Sequence, residues 1–165
     1  MRRFAPIAIP GAIVLIAAAL AVPLSAQQAG PGAETYKDIE ATLGSVPGMF
    51  KVFPEAGIAG AWAEFKSVQL NPKTELSGKV KELIGLAVAA QVPCTYCVYF
   101  HTAAARLNGA TDGEIKEAIA MAAITRHWST VLNGANIEYA TFKAETDTVL
   151  ARAAEQAKAS KPKTQ

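Results

Sequence analysis

Residues 77–109 read SGKVKELIGLAVAAQVPCTYCVYFHTAAARLNG, and their periodicity decides the fold. Ser77 is a residue type that caps helices by accepting from the first free backbone N–H groups. The spacing that follows predicts a helix over Gly78 to Gln91. Leu83 to Ala90 is apolar on every side, the pattern of a helix buried at the centre of a domain. Pro93 stands where a first helical residue is tolerated, so a second helix is expected from Pro93 to Leu107. Asn108-Gly109 should close it in the left-handed conformation.

Outward from this pair, other helices follow. Glu34 to Leu43 places Tyr36, Ile39 and Leu43 on one face, with Lys37, Asp38 and Glu40 off it. Gly44, Pro47 and Gly48 break it. Met49 to Phe53 is a short apolar piece, one helical turn or extended. Pro54 is expected to start a helix that runs to about Leu70, before the turn Asn71-Pro72. Thr111-Asp112-Gly113-Glu114 has the layout of a capping box and opens a helix to about Thr125. Another spans Arg126 to Thr146, continuous with it or kinked at Asn133-Gly134. From Arg152 onward the chain is rich in Ala, Lys and Gln, with a frayed end from Ser160. No stretch alternates with period two. The expectation is an all-α bundle of about six helices, arranged as a signal peptide (1–26), a linker (27–33), a helical domain (34–150) and a charged, partly disordered tail (151–165).

The leader follows from its own pattern. Arg2 and Arg3 precede an apolar run from Ile7 to Val22, and Leu24-Ser25-Ala26 ends in a small residue, the layout of a cleaved secretory signal. The competing reading is an uncleaved anchor, but the unbroken apolar stretch falls short of the roughly 20 residues a spanning helix needs. The expected location is the periplasm or the exterior. The full chain of 165 residues has 16 basic and 14 acidic side chains. Loss of Arg2 and Arg3 with the leader leaves 14 of each, so no basic field for nucleic acid remains.

Two cysteines are present, Cys94 and Cys97. A bridge across two intervening residues closes too short a loop to stabilise much, so the pair reads as a redox couple or as metal ligands. On an ideal helix Cys97 lies roughly −60° and His101 roughly −20° from Cys94, so all three share a face. The thiolate is the reactive form, and a free cysteine is only about 3% ionised at pH 7. A helix N-terminus and a nearby imidazole both favour it. These placements make Cys97 the attacking sulfur, with His101 taking its proton, and make Cys94 the group that resolves a sulfenic acid to a disulfide. Zinc held by Cys94, Cys97, His101 and Glu82 competes, although three ligands within two turns of one helix close poorly on a tetrahedral ion. A pair of small buried cysteines beside a packed histidine competes too. A c-type haem site is excluded, since Val98 and not His follows Cys97. Beside Lys79 and Lys81, Glu82 reads as a solvated charge. His127 reads as a surface or packing residue, and Trp62, Trp128, Tyr96 and Tyr99 as core or subunit contacts.

Residues Leu76 to Gly109 resemble the alkylhydroperoxidase D (AhpD)-like branch of the carboxymuconolactone decarboxylase family. The likeness lies in Lys81-Glu82-Leu83-Ile84, the apolar helix, Cys94-x-x-Cys97-x-x-x-His101, Asn108-Gly109-Ala110-Thr111 and Glu114-Ile115. It implies an AhpD-like helical bundle that assembles into trimers or hexamers. It implies a cofactor-free, metal-free peroxidase acting on small hydroperoxides. In that cycle Cys97 meets the peroxide, Cys94 resolves it, and Glu82 and His101 relay the proton. The role of Glu82 comes only from this resemblance. Tyr96 stands where the best-known AhpD pattern has a histidine. The cytosolic members draw electrons from a lipoyl-bearing partner that an exported chain would not meet, so the expected reductant is an unidentified thiol protein. The alternatives are a lyase or isomerase acting on a small lactone acid, or a metal-binding module without catalysis.

Overall fold

The computed structural model describes Gly30 and residues 32–160. The expected signal peptide, most of the linker and the end of the tail lie outside the described residues. Seven α-helices and no strand occur among them: α1 (Ala33–Leu43), α2 (Gly48–Lys51), α3 (Ile58–Glu64), α4 (Gly78–Gln91), α5 (Thr95–Leu107), α6 (Asp112–Gly134) and α7 (Tyr139–Ala159). The all-α expectation therefore holds. The chain divides into two compact units, Met1–Gly60 and Ala61–Gln165.

In the first unit, α1 buries Ile39 as its apolar face requires, while Leu43 at its end is exposed. Gly44 (φ +80°) ends α1 in the left-handed region, donating its N–H to the Glu40 carbonyl. Met49–Lys51 takes the helical option as part of the single turn α2, with Phe50 buried. The helix expected from Pro54 starts later. Pro54 to Gly57 form a turn closed by Gly57 N–H on the Pro54 carbonyl, and α3 begins only at Ile58, which is fully buried.

In the second unit α3 does not run smoothly to Leu70. It gives way to a π-helical turn, Phe65–Gln69, with Leu70 N–H on the Phe65 carbonyl at 3.2 Å. The Lys81 ammonium donates to the Val68 and Asn71 carbonyls at 2.6 and 2.8 Å, satisfying oxygens that the end of this helix leaves without intrahelical partners.

Helix α4 runs over the expected residues, with the Ser77 hydroxyl accepting from Val80 N–H. It packs against both α5 and α6. Leu86, Ala105 and Ile115 form the buried junction of the three helices, joined by Leu83, Val98 and Ala110. Ala105 is the small partner that allows this approach. Lys79 pairs with Glu114 at 2.7 Å across the starts of α4 and α6. The Glu114 carboxyl is held below its usual range, first by the Lys79 ammonium and then by the Thr111 N–H. The expectation that α4 is buried all round is corrected in part. Ile84 and Val88 remain exposed, because its helical neighbours α5 and α6 leave one side of it open in the single chain.

Helix α5 ends as read, at Leu107, with Gly109 (φ +82°) in the left-handed region. The capping box of Thr111 and Glu114 is complete: Glu114 N–H donates to the Thr111 hydroxyl, and Thr111 N–H to the Glu114 carboxylate. Thr125 and Arg126 lie inside one continuous α6. The break comes after Gly134 instead of as a kink, and Glu138 caps α7 by accepting from Ala140 and Thr141 N–H. That pair of donors, Ala140 first, holds the Glu138 carboxyl below its usual range. Residues 151–159, assigned to the tail, continue α7 as helix.

Truncating Leu86 to Ala at the three-helix junction is expected to cost about 2–5 kcal/mol. Removing the cap with Thr111→Ala is expected to cost about 1 kcal/mol. Urea unfolding followed by circular dichroism reads both, and the reverse order would mean that the core lies elsewhere.

Candidate active site

Cys94 is not inside a helix. Its backbone is extended (φ −96°, ψ 96°) and it caps α5, so Pro93 lies before the helix and is not its first residue. The correction has a physical basis. A residue ahead of α5 leaves the Cys94 sulfur free to turn over the first turn, where unpaired N–H groups lie. Its Sγ accepts from Cys97 N–H at 3.2 Å. The two sulfurs are joined as a disulfide, with Cα atoms 5.2 Å apart, within the usual span for such a bond.

His101 follows Cys97 by one turn on the same helix. Its Nδ1 lies 2.7 Å from Glu82 Oε2, reaching from α5 to α4. Among the described residues Glu82 is the one charged side chain in the buried set, at 4% exposure. The solvated-charge reading from its lysine neighbours is thereby overturned: Lys79 and Lys81 point to other partners, and the carboxylate faces inward. Its second oxygen, Oε1, accepts from Gln69 Nε2 at 3.2 Å. Buried carboxylates persist only when paired and hydrogen-bonded, and both oxygens here have a partner.

The histidine ring fits because α4 has a glycine opposite it. A Cβ at Gly85 would fall under 3.0 Å from Nδ1, Cε1 and Nε2 of His101. The ring also meets Phe100 edge-on, with centroids 5.2 Å apart. Phe100 continues to Phe65 at 6.3 Å, and Phe65 to Trp62 at 5.9 Å. An aromatic run thus leads to the imidazole, and Trp62 belongs to the buried set.

Glu82, Gln69 and His101 are therefore brought together, and the Cys94–Cys97 disulfide joins the cap of α5 to its first turn, on the helix that carries His101. Tyr96 and Tyr99 stay outside this network, 88% and 79% exposed. His127 is exposed and packs edge-on against Trp128, 5.4 Å away. Gln69 and Gly85 are the residues that sequence reasoning did not single out. Gln69 was read as part of a regular helix, and only the π-turn aims it at Glu82. Among the described residues no group of three or more His, Cys, Asp or Glu side chains converges as a metal would need.

Comparison with known proteins agrees with this geometry. Residues 56–137 match the model of the carboxymuconolactone decarboxylase family. By sequence, those residues belong to that family. Among solved structures the chain is similar to the alkylhydroperoxidase AhpD core from Rhodospirillum rubrum, at 28% identity and a TM-score of 0.57, over 64% of this chain and 79% of that one. No curated protein matches the chain. The match to the family model takes in Gln69, Glu82, Gly85, Cys94, Cys97 and His101 together.

Alanine is the better helix former by about 1 kcal/mol. Even so, Gly85→Ala is expected to destabilise the protein by about 1–3 kcal/mol, because its methyl displaces the imidazole. Urea midpoints compare the two chains, and a neutral or stabilised variant would place the ring elsewhere.

Proposed function

We propose that the protein is an exported AhpD-type thiol peroxidase that reduces small hydroperoxides. The observation that carries this reading is a Cys94–Cys97 disulfide at the start of α5, the helix whose His101 meets the buried Glu82 of α4. A cysteine couple supplies two electrons. A histidine oriented by a carboxylate supplies the proton transfer that makes the thiolate.

In the proposed cycle the reduced Cys97 gives its proton to His101, with Glu82 orienting the ring. The Cys97 thiolate attacks the terminal peroxide oxygen and the O–O bond breaks. The leaving alkoxide takes a proton from the imidazolium and departs as alcohol, leaving a Cys97 sulfenic acid. The Cys94 thiolate attacks that sulfur, expelling hydroxide, which is protonated to water, and forming the disulfide. A dithiol protein then reduces the disulfide, becoming oxidised itself. Backbone donation into Cys94 Sγ by Cys97 N–H favours a thiolate at the cap position.

The single chain also leaves apolar surface open. Met121, Ile124, Trp128 and Val131 recur at alternating spacings of three and four along α6, and Tyr139, Phe142 and Val149 lie three and seven residues apart along α7. Exposed stripes of this kind are characteristic of association surfaces, and they support a homo-oligomer, trimer or hexamer, built from these faces. The leader pattern supports export to the periplasm or the exterior.

Cys97→Ser is expected to abolish peroxide consumption. Cys94→Ser should permit a single turnover that stops at the sulfenic acid, and Glu82→Gln should lower kcat/KM about 10²–10⁴-fold. Peroxide assays with a small dithiol read all three. Turnover that survives alkylation of both cysteines would point instead to the lyase or isomerase class. Protein purified from the exported fraction is expected to begin at Gln27 by intact mass. In solution scattering it should have a mass of three or six chains, where a monomer would remove the association reading.

A further inference from the structure

The π-turn Phe65–Gln69 begins on Phe65, which packs between Trp62 and Phe100, and ends on the side chain that completes the buried network. A π-turn adds one residue to the turn and so rotates the residues after it by roughly 100° relative to a regular helix, and such insertions recur at functional sites. Here it delivers Gln69 Nε2 to Glu82 Oε1 at 3.2 Å. The Lys81 ammonium fastens the same segment through the Val68 and Asn71 carbonyls, from the residue next to Glu82 on α4. The clamp and the hydrogen bond therefore tie one segment to one turn of α4.

The consequence follows from donor and acceptor bookkeeping. A carboxylate accepts only, and an amide –NH₂ donates only. With Gln69 donating into Oε1, that oxygen cannot carry a proton toward it. Oε2 then accepts, and its partner His101 Nδ1 must hold a hydrogen. The second ring nitrogen, Nε2, is left with its lone pair.

We infer that Gln69 is a positioning residue: it keeps both oxygens of Glu82 as acceptors and so locks His101 in the Nδ1–H tautomer, with Nε2 as the base. Gln69 touches neither sulfur nor substrate in this role and acts through Glu82. The inference deepens the peroxidase reading, which it needs for its catalytic meaning but not for its first readout.

The full chain carries only two histidines, so His127→Gln leaves His101 alone for ¹⁵N–¹H correlation of the ring nitrogens. In that background the neutral ring is expected to show Nδ1 protonated and Nε2 bare. A ring protonated at Nε2 instead would overturn the inference outright. Gln69→Met keeps the length and removes the donor, and Gln69→Glu keeps the shape and replaces the donor with an acceptor. Each is expected to shift His101 toward the tautomer mixture of an unconstrained imidazole. Gln69→Lys restores an N–H donor and is expected to restore the Nδ1–H form. An unchanged tautomer in both donor-free chains, with melting curves showing them folded, would sink the proposal. Should neither fold, the His127→Gln chain alone decides. With a dithiol and a hydroperoxide, kcat/KM should fall at least about tenfold in Gln69→Met and recover in Gln69→Lys, with KM little changed. Absence of turnover in every chain would count against the peroxidase reading, while the tautomer would still judge Gln69.

Discussion

A carboxylate inside a helical domain has to be met on both oxygens, because burial removes the water that would otherwise solvate it. Glu82 sits on the central helix at 4% exposure, and much of the second unit can be understood from the need to satisfy it. His101 reaches it from α5, which requires α4 and α5 to pack closely, and that approach rests on Gly85 under the ring. Gln69 reaches it from the other side, which requires the π-turn. Leu86, one residue past Gly85, anchors the same stretch of α4 in the three-helix junction. The core and the polar network are thus two faces of one helix, and a change in either is felt by the other.

The cysteine pair is placed by a different device. Cys94 lies outside α5 and caps it, so the first sulfur sits over the free N–H groups of the first turn while the second is already helical. His101 is carried on the ordered part of that helix. Cys97 and His101 are in this way separated by a single turn, and the α4–α5 contact sets the imidazole against Glu82.

Much of this was legible in the residues themselves. Ser77 and Thr111 were readable as caps because a hydroxyl at that position satisfies a backbone donor locally. Asn108-Gly109 was readable as a stop because only a glycine-like residue tolerates the left-handed turn. The Cys-x-x-Cys-x-x-x-His spacing placed Cys97 and His101 on one helix face with no need of the rest of the chain. Other features misled. Pro93 looked like a first helical residue, yet the loop keeps it outside. Lys79 and Lys81 made Glu82 look solvated, although each lysine is occupied elsewhere, one by Glu114 and one by two backbone carbonyls. The stretch from Pro54 to Leu70 looked like one helix, since nothing in its periodicity marks where a single hydrogen bond lengthens to span five residues.

The sequence alone therefore determined the helix pattern, the caps, the Cys-x-x-Cys-x-x-x-His spacing and the family resemblance, all of which depend on residues within a few positions of one another. Only the tertiary structure decided that Glu82 is buried, that Gly85 makes room for the imidazole and that Gln69 completes the carboxylate's partners. Each of those depends on which elements meet in space. The direction of a side chain at Gln69 is set by a local helical irregularity, and that irregularity acquires meaning only from the carboxylate waiting thirteen residues further along the chain.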